Sequence, residues 1–373
     1  MVFQRALEPK IRELLFKGKM ITLLGPRQSG KTTLSKSLIA PYGDTGGYFD
    51  CQLAEVRRHF VVGEPDRLLE LVRGKTIVVF DEAQTVQDIG SILKVFFDTY
   101  PKTQVIATGS SSFDLSNKIK EPMTGRTHEF ILLPLSIPEI SQHLALTQTQ
   151  VHELMLYGSY PAVVTAQTID EKLRAIRGIA TNYLYKDVFV FEAIRNPKVF
   201  EDLVRALALQ VGSLVSVNEL SQTLGVTRTT VNRYLRLLEQ AFVIKRVYGF
   251  SRNPRTELKK AFKVYFLDTG VRNVLVDIIT PLTHRNDRGA VFENFFVTER
   301  MKDSSLKIFP QEIMFWRSRA GEEVDVVERE GGILRAYECK WTPQTFSFKT
   351  FMKAYPDTIS SVVSPSDYWS EVS

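Results

Sequence analysis

The chain has 373 residues, 44% apolar and 24% charged, with a formal net charge of +6, enough for more than one hydrophobic core and so for two or three domains. Its two cysteines, Cys51 and Cys339, lie far apart without metal-type spacing, which argues against a disulfide framework or a zinc site and for a reducing cytoplasm. No basic-then-apolar leader opens the sequence and no run approaches the roughly 18 apolar residues of a membrane span, so a cytoplasmic protein with no membrane partner is expected.

In chain order, the first apolar run is Met20 to Leu24, a strand that leads into Gly25-Pro26-Arg27-Gln28-Ser29-Gly30-Lys31-Thr32-Thr33. Such a loop lets backbone N–H groups curl around a β-phosphate, with Lys31 reaching the β/γ oxygens and the Thr32 hydroxyl ligating Mg²⁺. A helix from Thr32 to Ala40 then presents its positive end to the anion. Arg27 either touches phosphate or braces the turn. The bland alternative is a glycine-rich turn that holds no ligand.

The run Lys75 to Asp81 reads as a buried strand that delivers two carboxylates. Asp81 is suited to hold Mg²⁺ through its waters, and Glu82, pointing elsewhere, to polarise an attacking water, which argues for hydrolysis. A third strand, Gln104 to Thr108, ends in Gly109-Ser110-Ser111-Ser112, making Ser110 a candidate γ-phosphate sensor. Read alone, Thr-Gly-Ser is a strand-to-helix turn with an N-cap. With further strands at 47–50 and 128–133 and helical patterns between, residues 1–133 predict a parallel α/β sheet covered on both faces.

After Pro134 the strand pattern stops. Helices are expected at Ile137 to Leu146, Thr149 to Tyr157, Asp170 to Glu192 and Pro197 to Gln210, a helical lid over 134–210. Ser216 to Glu219 is a capping box and Thr227 caps the next helix, Arg228 to Gln240, which is helix-turn-helix spacing. Val231, Tyr234, Leu235 and Leu238 would bury that helix. Arg228, Thr229, Asn232, Arg233 and Arg236 are left outward, suited to phosphates and base edges. Runs 241–244 and 247–250 read as the two strands of a wing, completing a winged helix over 211–260. The segment Asp170 to Lys263 holds 17 Lys and Arg against 9 Asp and Glu, leaving 31 against 33 elsewhere, so the basicity is local and suits a polyanion. A basic solvated surface, or a rigid protein contact, is the alternative.

From 261 to 373 a separate α/β module is expected, with a strand at Val264 to Leu267, a helix from Gly289 to Met301 and strands near 313–316, 324–327 and 334–339. Antiparallel pairing across a Gly331-Gly332 turn would bring Asp325 beside Glu338, with Lys340 on the same face and Glu293 on the preceding helix. Two or three carboxylates and a lysine can hold one or two hard cations, Mg²⁺ or Mn²⁺, and activate water against a phosphodiester. The alternative is a relic fold with surface ion pairs.

These pieces, with Gly125-Arg126, Leu133-Pro134-Leu135-Ser136 and Tyr265 to Gly270, resemble the prokaryotic AAA-type ATPases that join a P-loop core to a winged helix and a C-terminal domain of unknown function resembling PD-(D/E)xK nucleases. The resemblance spans nearly the whole chain. It implies ATP and Mg²⁺ as ligands, nucleotide chemistry at Lys31, Thr32, Asp81 and Glu82, and Arg126 as an arginine that senses or stabilises the γ-phosphate. An arginine finger acts from across an interface in many such ATPases, so Arg126 would imply a homo-oligomer; an ordinary salt bridge at a strand start is its alternative. The expected function is Mg-ATP hydrolysis coupled to nucleic acid, DNA first. The rival is a nucleotide-gated switch that docks a protein partner, its C-terminal domain inert.

Overall fold

In the first 131 residues, five short strands alternate with helices: β1 (Met20–Leu24), β2 (Gly46–Asp50), β3 (Ile77–Asp81), β4 (Gln104–Gly109) and β5 (Thr127–Ile131). The computed structural model describes residues 1–110, 125–182, 194, 196–251, 261–307, 311–318 and 320–366, so Ser111 and Ser112 lie outside the described residues. The five strands pair in parallel in the order β2-β3-β4-β1-β5. Every residue of β1, β3 and β4 is buried, as a strand covered on both faces requires, which is why these segments read as unbroken apolar runs. The order places the loop after β1 and the ends of β3 and β4 side by side at the carboxyl edge, where parallel sheets gather their ligands. These strands belong to one of two compact units, Val2–Pro134 with Gln240–Phe242.

The other unit runs from Leu135 to Glu239 and on from Val243. Its helices Ile137–Ser141 and Gln148–Tyr157 each open on a capping box, built by Ser136 with Glu139 and by Thr147 with Gln150. Helices Ile169–Asn182 and Pro197–Leu209 come next in the chain. The helix expected to reach Glu192 is described only to Asn182; residues 183–193 lie outside the described residues. Beyond them lie helices Val217–Thr223, with Ser216 Oγ accepting the Glu219 N–H at 3.2 Å, and Arg228–Gln240, with Thr227 Oγ1 accepting the Thr230 N–H at 3.2 Å.

These two helices accompany an antiparallel sheet of β6 (Leu214–Val215), β7 (Ile244–Tyr248) and β8 (Phe262–Phe266), ordered β6-β8-β7. The reading of two wing strands at 241–244 and 247–250 is corrected here: a single strand spans 244–248, and its partner is β8. Lys245-Arg246 looks like a polar turn in the sequence, but Arg246 lies within β7, where Glu239 accepts its Nε at 2.8 Å and its Nη2 at 2.5 Å. The boundary expected at 260/261 thus falls just before the strand that centres this sheet.

A helix that sequence periodicity did not reveal, Thr269–Leu275, joins the expected lid to the chain beyond β8. Arg272 Nε donates to Ala208 O at 2.7 Å, and Asn273 Nδ2 donates to Met155 O at 3.1 Å and Leu156 O at 2.9 Å. Residues expected to form three modules therefore share one packed unit. Helix Arg288–Ser305 leads to the last sheet, β9 (Glu312–Arg317), β10 (Glu323–Glu330), β11 (Ile333–Cys339) and β12 (Ile359–Val363), ordered β12-β11-β10-β9. Only the β11–β12 pair is parallel. Met314, Trp316, Val324, Val327, Ala336, Phe351 and Tyr355 fill its core. Strand β12 and helix Lys349–Ala354 had no sequence expectation.

Candidate nucleotide site and C-terminal acidic cluster

The loop after β1 is shaped by its glycines. Gly25 has φ 149°, and a Cβ there would lie 2.2 Å from the Leu132 carbonyl oxygen, so no other residue fits. Gly30, at φ 100°, caps helix Lys31–Ile39. Between them Pro26 and Ser29 are buried, Arg27 is half-buried, and Gln28 is exposed with φ 60°. Lys31 Nζ donates to the carbonyls of Gly25 at 2.9 Å and Pro26 at 2.8 Å, while Thr32 and Thr33 face solvent at the helix start. Arg5, 7% exposed, donates to Ser29 O at 2.6 Å and Leu133 O at 2.7 Å, so it ties the loop to the segment after β5. No motif announces it, because it precedes the loop by about twenty residues.

The ends of β3 and β4 meet this loop. Asp81 accepts the Thr32 hydroxyl at 2.8 Å and also the hydroxyls of Tyr48 and Thr108. Burial, reinforced by Asp81, pushes the Tyr48 phenol well above its ordinary pKa, so it stays a donor. Glu82 takes a left-handed conformation, φ 52°, which turns its side chain away from Asp81. Its Oε2 accepts Gln84 Nε2 at 2.5 Å and Ser110 Oγ at 3.2 Å, and its N–H donates to Thr108 Oγ1 at 3.1 Å. The expected set Lys31, Thr32, Asp81, Glu82 and Ser110 is brought together; Tyr48, Gln84, Thr108 and Arg5 were not singled out from sequence. A Thr hydroxyl beside a carboxylate is a pair of hard oxygen donors and fits Mg²⁺.

Arg126 lies where the salt-bridge alternative put it, away from the phosphate loop of its own chain. Its carbonyl accepts the Met20 N–H at 2.9 Å and Thr127 pairs with Met20, which places it at the amino edge of the sheet. The phosphate loop leaves from the carboxyl edge, five residues of β1 away, roughly 16 Å at about 3.3 Å per residue. A contact with the γ-phosphate of its own chain is therefore excluded. Its Nε instead lies 3.0 Å from Asp98 Oδ1, both side chains being exposed.

On helix Arg228–Gln240, Val231, Tyr234, Leu235 and Leu238 are buried together with Leu237. Arg228, Thr229, Asn232 and Arg236 are exposed and Arg233 is half-buried.

The C-terminal carboxylates converge on Lys340, as expected, and also on a second lysine, Lys263. Lys263 of β8, 1% exposed, lies 2.5 Å from Glu323 Oε1, 3.0 Å from Glu293 Oε1 and 3.7 Å from Asp325 Oδ1. Tyr265, two residues on and so on the same face, donates to Glu293 Oε1 at 2.6 Å. The pairing of Val326 with Tyr337 carries Asp325 opposite Glu338, as the turn predicted, and Cys339 N–H donates to Asp325 Oδ2 at 2.9 Å. Lys340 pairs with Glu338 Oε1 at 2.6 Å. The expected Glu293, Asp325, Glu338 and Lys340 are brought into one cluster, and Lys263, a residue whose sequence position carries no nuclease signal, joins it among Glu293, Glu323 and Asp325. Among the described residues, no group of three or more His, Cys, Asp or Glu side chains is placed to hold a metal ion, which lends the expected second Mg²⁺ or Mn²⁺ site no support.

Burial and Asp325 lift the Glu293 carboxyl to about 7 against the pull of Lys263, and burial and Asp325 lift Glu338 to about 7. Burial opposes charge on Lys263, but Glu293, Asp325 and Glu323 outweigh it and hold the ammonium above its ordinary value. Glu293 and Glu338 are therefore partly protonated near neutral pH.

Residues 17–141 match the family described as AAA domain. The match covers about a third of the chain, the part that holds the parallel sheet and the phosphate loop. Residues 148–282 match a domain of unknown function (DUF8612) that spans the lid helices through β8 and helix Thr269–Leu275, and residues 288–369 match another (DUF4143). An uncharacterized protein of Mycobacterium tuberculosis is 26% identical over 92% of this chain and 75% of its own length, and one of Haemophilus influenzae is 28% identical over 53% and 52%. Among solved structures, the RuvB Holliday junction branch migration motor of Thermotoga maritima is 16% identical, covering 66% of this chain and 90% of its own, at TM-score 0.31. AMPPCP-bound DnaA from Aquifex aeolicus is 15% identical, covering 62% and 86%, at TM-score 0.32. Overlaps this weak add nothing to what the AAA domain itself displays. Among the described residues no helix is long and apolar enough to cross a membrane.

Proposed function

We propose that the chain is an AAA-type ATPase that hydrolyses Mg-ATP and couples turnover to nucleic acid, DNA first. The observation that carries this reading is the meeting of Lys31, Thr32, Asp81 and Glu82 at one edge of the AAA sheet, with Thr32 and Asp81 2.8 Å apart. Mg²⁺ held by Thr32 and Asp81 would neutralise charge between β- and γ-oxygens. Lys31 exchanges its two loop carbonyls for phosphate oxygens. Glu82 polarises the attacking water, and Gln84 and Ser110 orient its carboxylate, so Ser110 senses the γ-phosphate through Glu82. For Arg126 there remains a role across an oligomer interface, on a neighbouring chain's nucleotide, or the Asp98 salt bridge alone.

Nucleic acid is assigned to the winged helix through Arg228, Thr229, Asn232, Arg233 and Arg236, supported by their outward placement and the local basic surplus. The nuclease-like module would lie alongside on the same polyanion. The test is ATP turnover by the full chain with and without DNA. Lys31→Ala abolishes turnover, and Glu82→Gln lowers it by about 10²-fold or more while nucleotide still binds. Turnover that survives both variants would remove the ATPase reading.

A second reading is a nucleotide-gated switch that docks a protein partner, favoured by the lysine that already fills the C-terminal acidic cluster. Salt separates the two. DNA contacts made by Lys and Arg weaken with log salt at a slope near −0.9 per phosphate neutralised, whereas binding that is absent or flat with salt supports the switch.

A further inference from the structure

We propose that the C-terminal acidic cluster is built around a resident ammonium: Lys263 occupies the position between Glu293, Glu323 and Asp325 that a divalent cation would need, so this site takes no Mg²⁺ or Mn²⁺ and does not cleave phosphodiesters by a metal-dependent route. The inference stands whether or not the AAA domain turns over ATP.

Three elements converge on the amine. Lys263 enters from β8, Glu293 from helix Arg288–Ser305, and Glu323 and Asp325 from β10. The helix is held in register by Asn294, whose Oδ1 accepts the Phe266 N–H at 2.9 Å and whose Nδ2 donates to Phe266 O at 2.7 Å. That clamp sets Glu293, its neighbour in sequence, against Lys263 and Tyr265. On the β9 side the Phe315 ring centroid lies 5.5 Å from the ammonium. At 1% exposure on the central strand of its sheet, the amine is buried, while Glu293, Glu323 and Asp325 keep 13%, 26% and 15% of their side-chain surface exposed.

Several of the carboxylate oxygens that face the amine are also engaged. Glu293 Oε1 takes Lys263 and Tyr265, Glu323 Oε1 takes Lys263, Glu323 Oε2 faces Arg317 at 3.5 Å, and Asp325 divides between Lys263 and the Cys339 N–H. Glu338 Oε2 is buried without a hydrogen-bond partner and Glu293 Oε2 takes neither Lys263 nor Tyr265, so it is the ammonium, not a shortage of oxygens, that stands where a cation would sit. A cation forced into the cluster would face an ammonium at contact distance that cannot withdraw. Glu293, Glu323 and Asp325 around one lysine give a set whose negative charge that lysine already partly offsets.

The experiment is Mn²⁺ binding to the full chain without nucleotide, read by electron paramagnetic resonance, together with thermal stability in Mn²⁺ or chelator. Subtracting the signal of Asp325→Asn removes any contribution from the AAA domain. Wild type is expected to show no Asp325-dependent Mn²⁺ and no stability change between Mn²⁺ and chelator. Lys263→Met, uncharged and of similar length, is expected to gain an Asp325-dependent site and a melting temperature that rises with Mn²⁺. If Lys263→Met does not fold, Lys263→Met with Glu293→Gln removes one carboxylate charge and is expected to recover the fold. Failure of that double variant to fold would overturn the proposal, because the lysine would then be acting as packing rather than as counter-charge. Asp325-dependent Mn²⁺ in wild type, Mn²⁺-dependent DNA cleavage lost in Asp325→Asn, or a folded Lys263→Met that takes up no Mn²⁺ would each overturn it.

Discussion

Among single residues, the geometry around the phosphate loop depends on a few side chains whose partners lie far away in sequence. Asp81 gathers hydroxyls from Thr32, Tyr48 and Thr108, three different segments, so its orientation is set before any ligand arrives. Arg5 does the same for the loop, closing Ser29 O and Leu133 O with one buried guanidinium. Arg5→Ala leaves both carbonyls without that donor, and charge-assisted bonds of this kind contribute about 1.5–3 kcal/mol each. The expected outcome is a loss of roughly 2–4 kcal/mol in the stability of this unit and weaker nucleotide binding, checked by thermal unfolding and by titration with a fluorescent nucleotide. An unchanged melting temperature would show that the bridge does not hold the loop.

Between elements, the second unit is joined by polar side chains that reach from helix to strand. Asn294 satisfies both backbone groups of Phe266 and so docks helix Arg288–Ser305 on β8. Asn294→Ala orphans a buried N–H and a buried C=O at once, an expected loss of about 2–4 kcal/mol. Since Glu293 then loses its seat, hydrogen exchange is expected to speed up in β8 as well as in the helix. Faster exchange confined to the helix would argue that the strand is held by β6 and β7 alone.

For the molecule as a whole, stability depends on pH through the acidic cluster. Glu293 and Glu338 have folded-state values raised to about 7, above the ordinary carboxyl value, so the folded chain binds more protons than the unfolded one between roughly pH 4.5 and 7. The stability they contribute is therefore complete below that window and is lost as pH rises through it. Asp287, lowered to about 2 by Arg285 and Arg272 against its burial, acts only at much lower pH. The unit from Leu135 onward is expected to melt at lower temperature at about pH 8 than at about pH 5.5, and Glu293→Gln to flatten that trend. A melting temperature that rises across the same interval would contradict these assignments.

Legible from the order of residues alone are the phosphate loop, the strand that ends in Asp81 and Glu82, the sheet of the AAA domain and the outward face of helix Arg228–Gln240. Each is written in local periodicity or in spacing within one loop, and parallel strands buried on both faces leave an unmistakable apolar run. The side chains that complete these sites emerge only when distant elements pack together. Arg126 stands in a motif-like position, yet strand direction carries it to the wrong edge of the sheet. Lys263 precedes Glu293 by thirty residues and Glu323 by sixty, and nothing local marks it. Helix Thr269–Leu275 is too short for periodicity to show, yet it binds the lid helices to the rest of their unit. Pairwise burial of charge is set by which elements meet in space, and that information lies in packing rather than in any single stretch of chain.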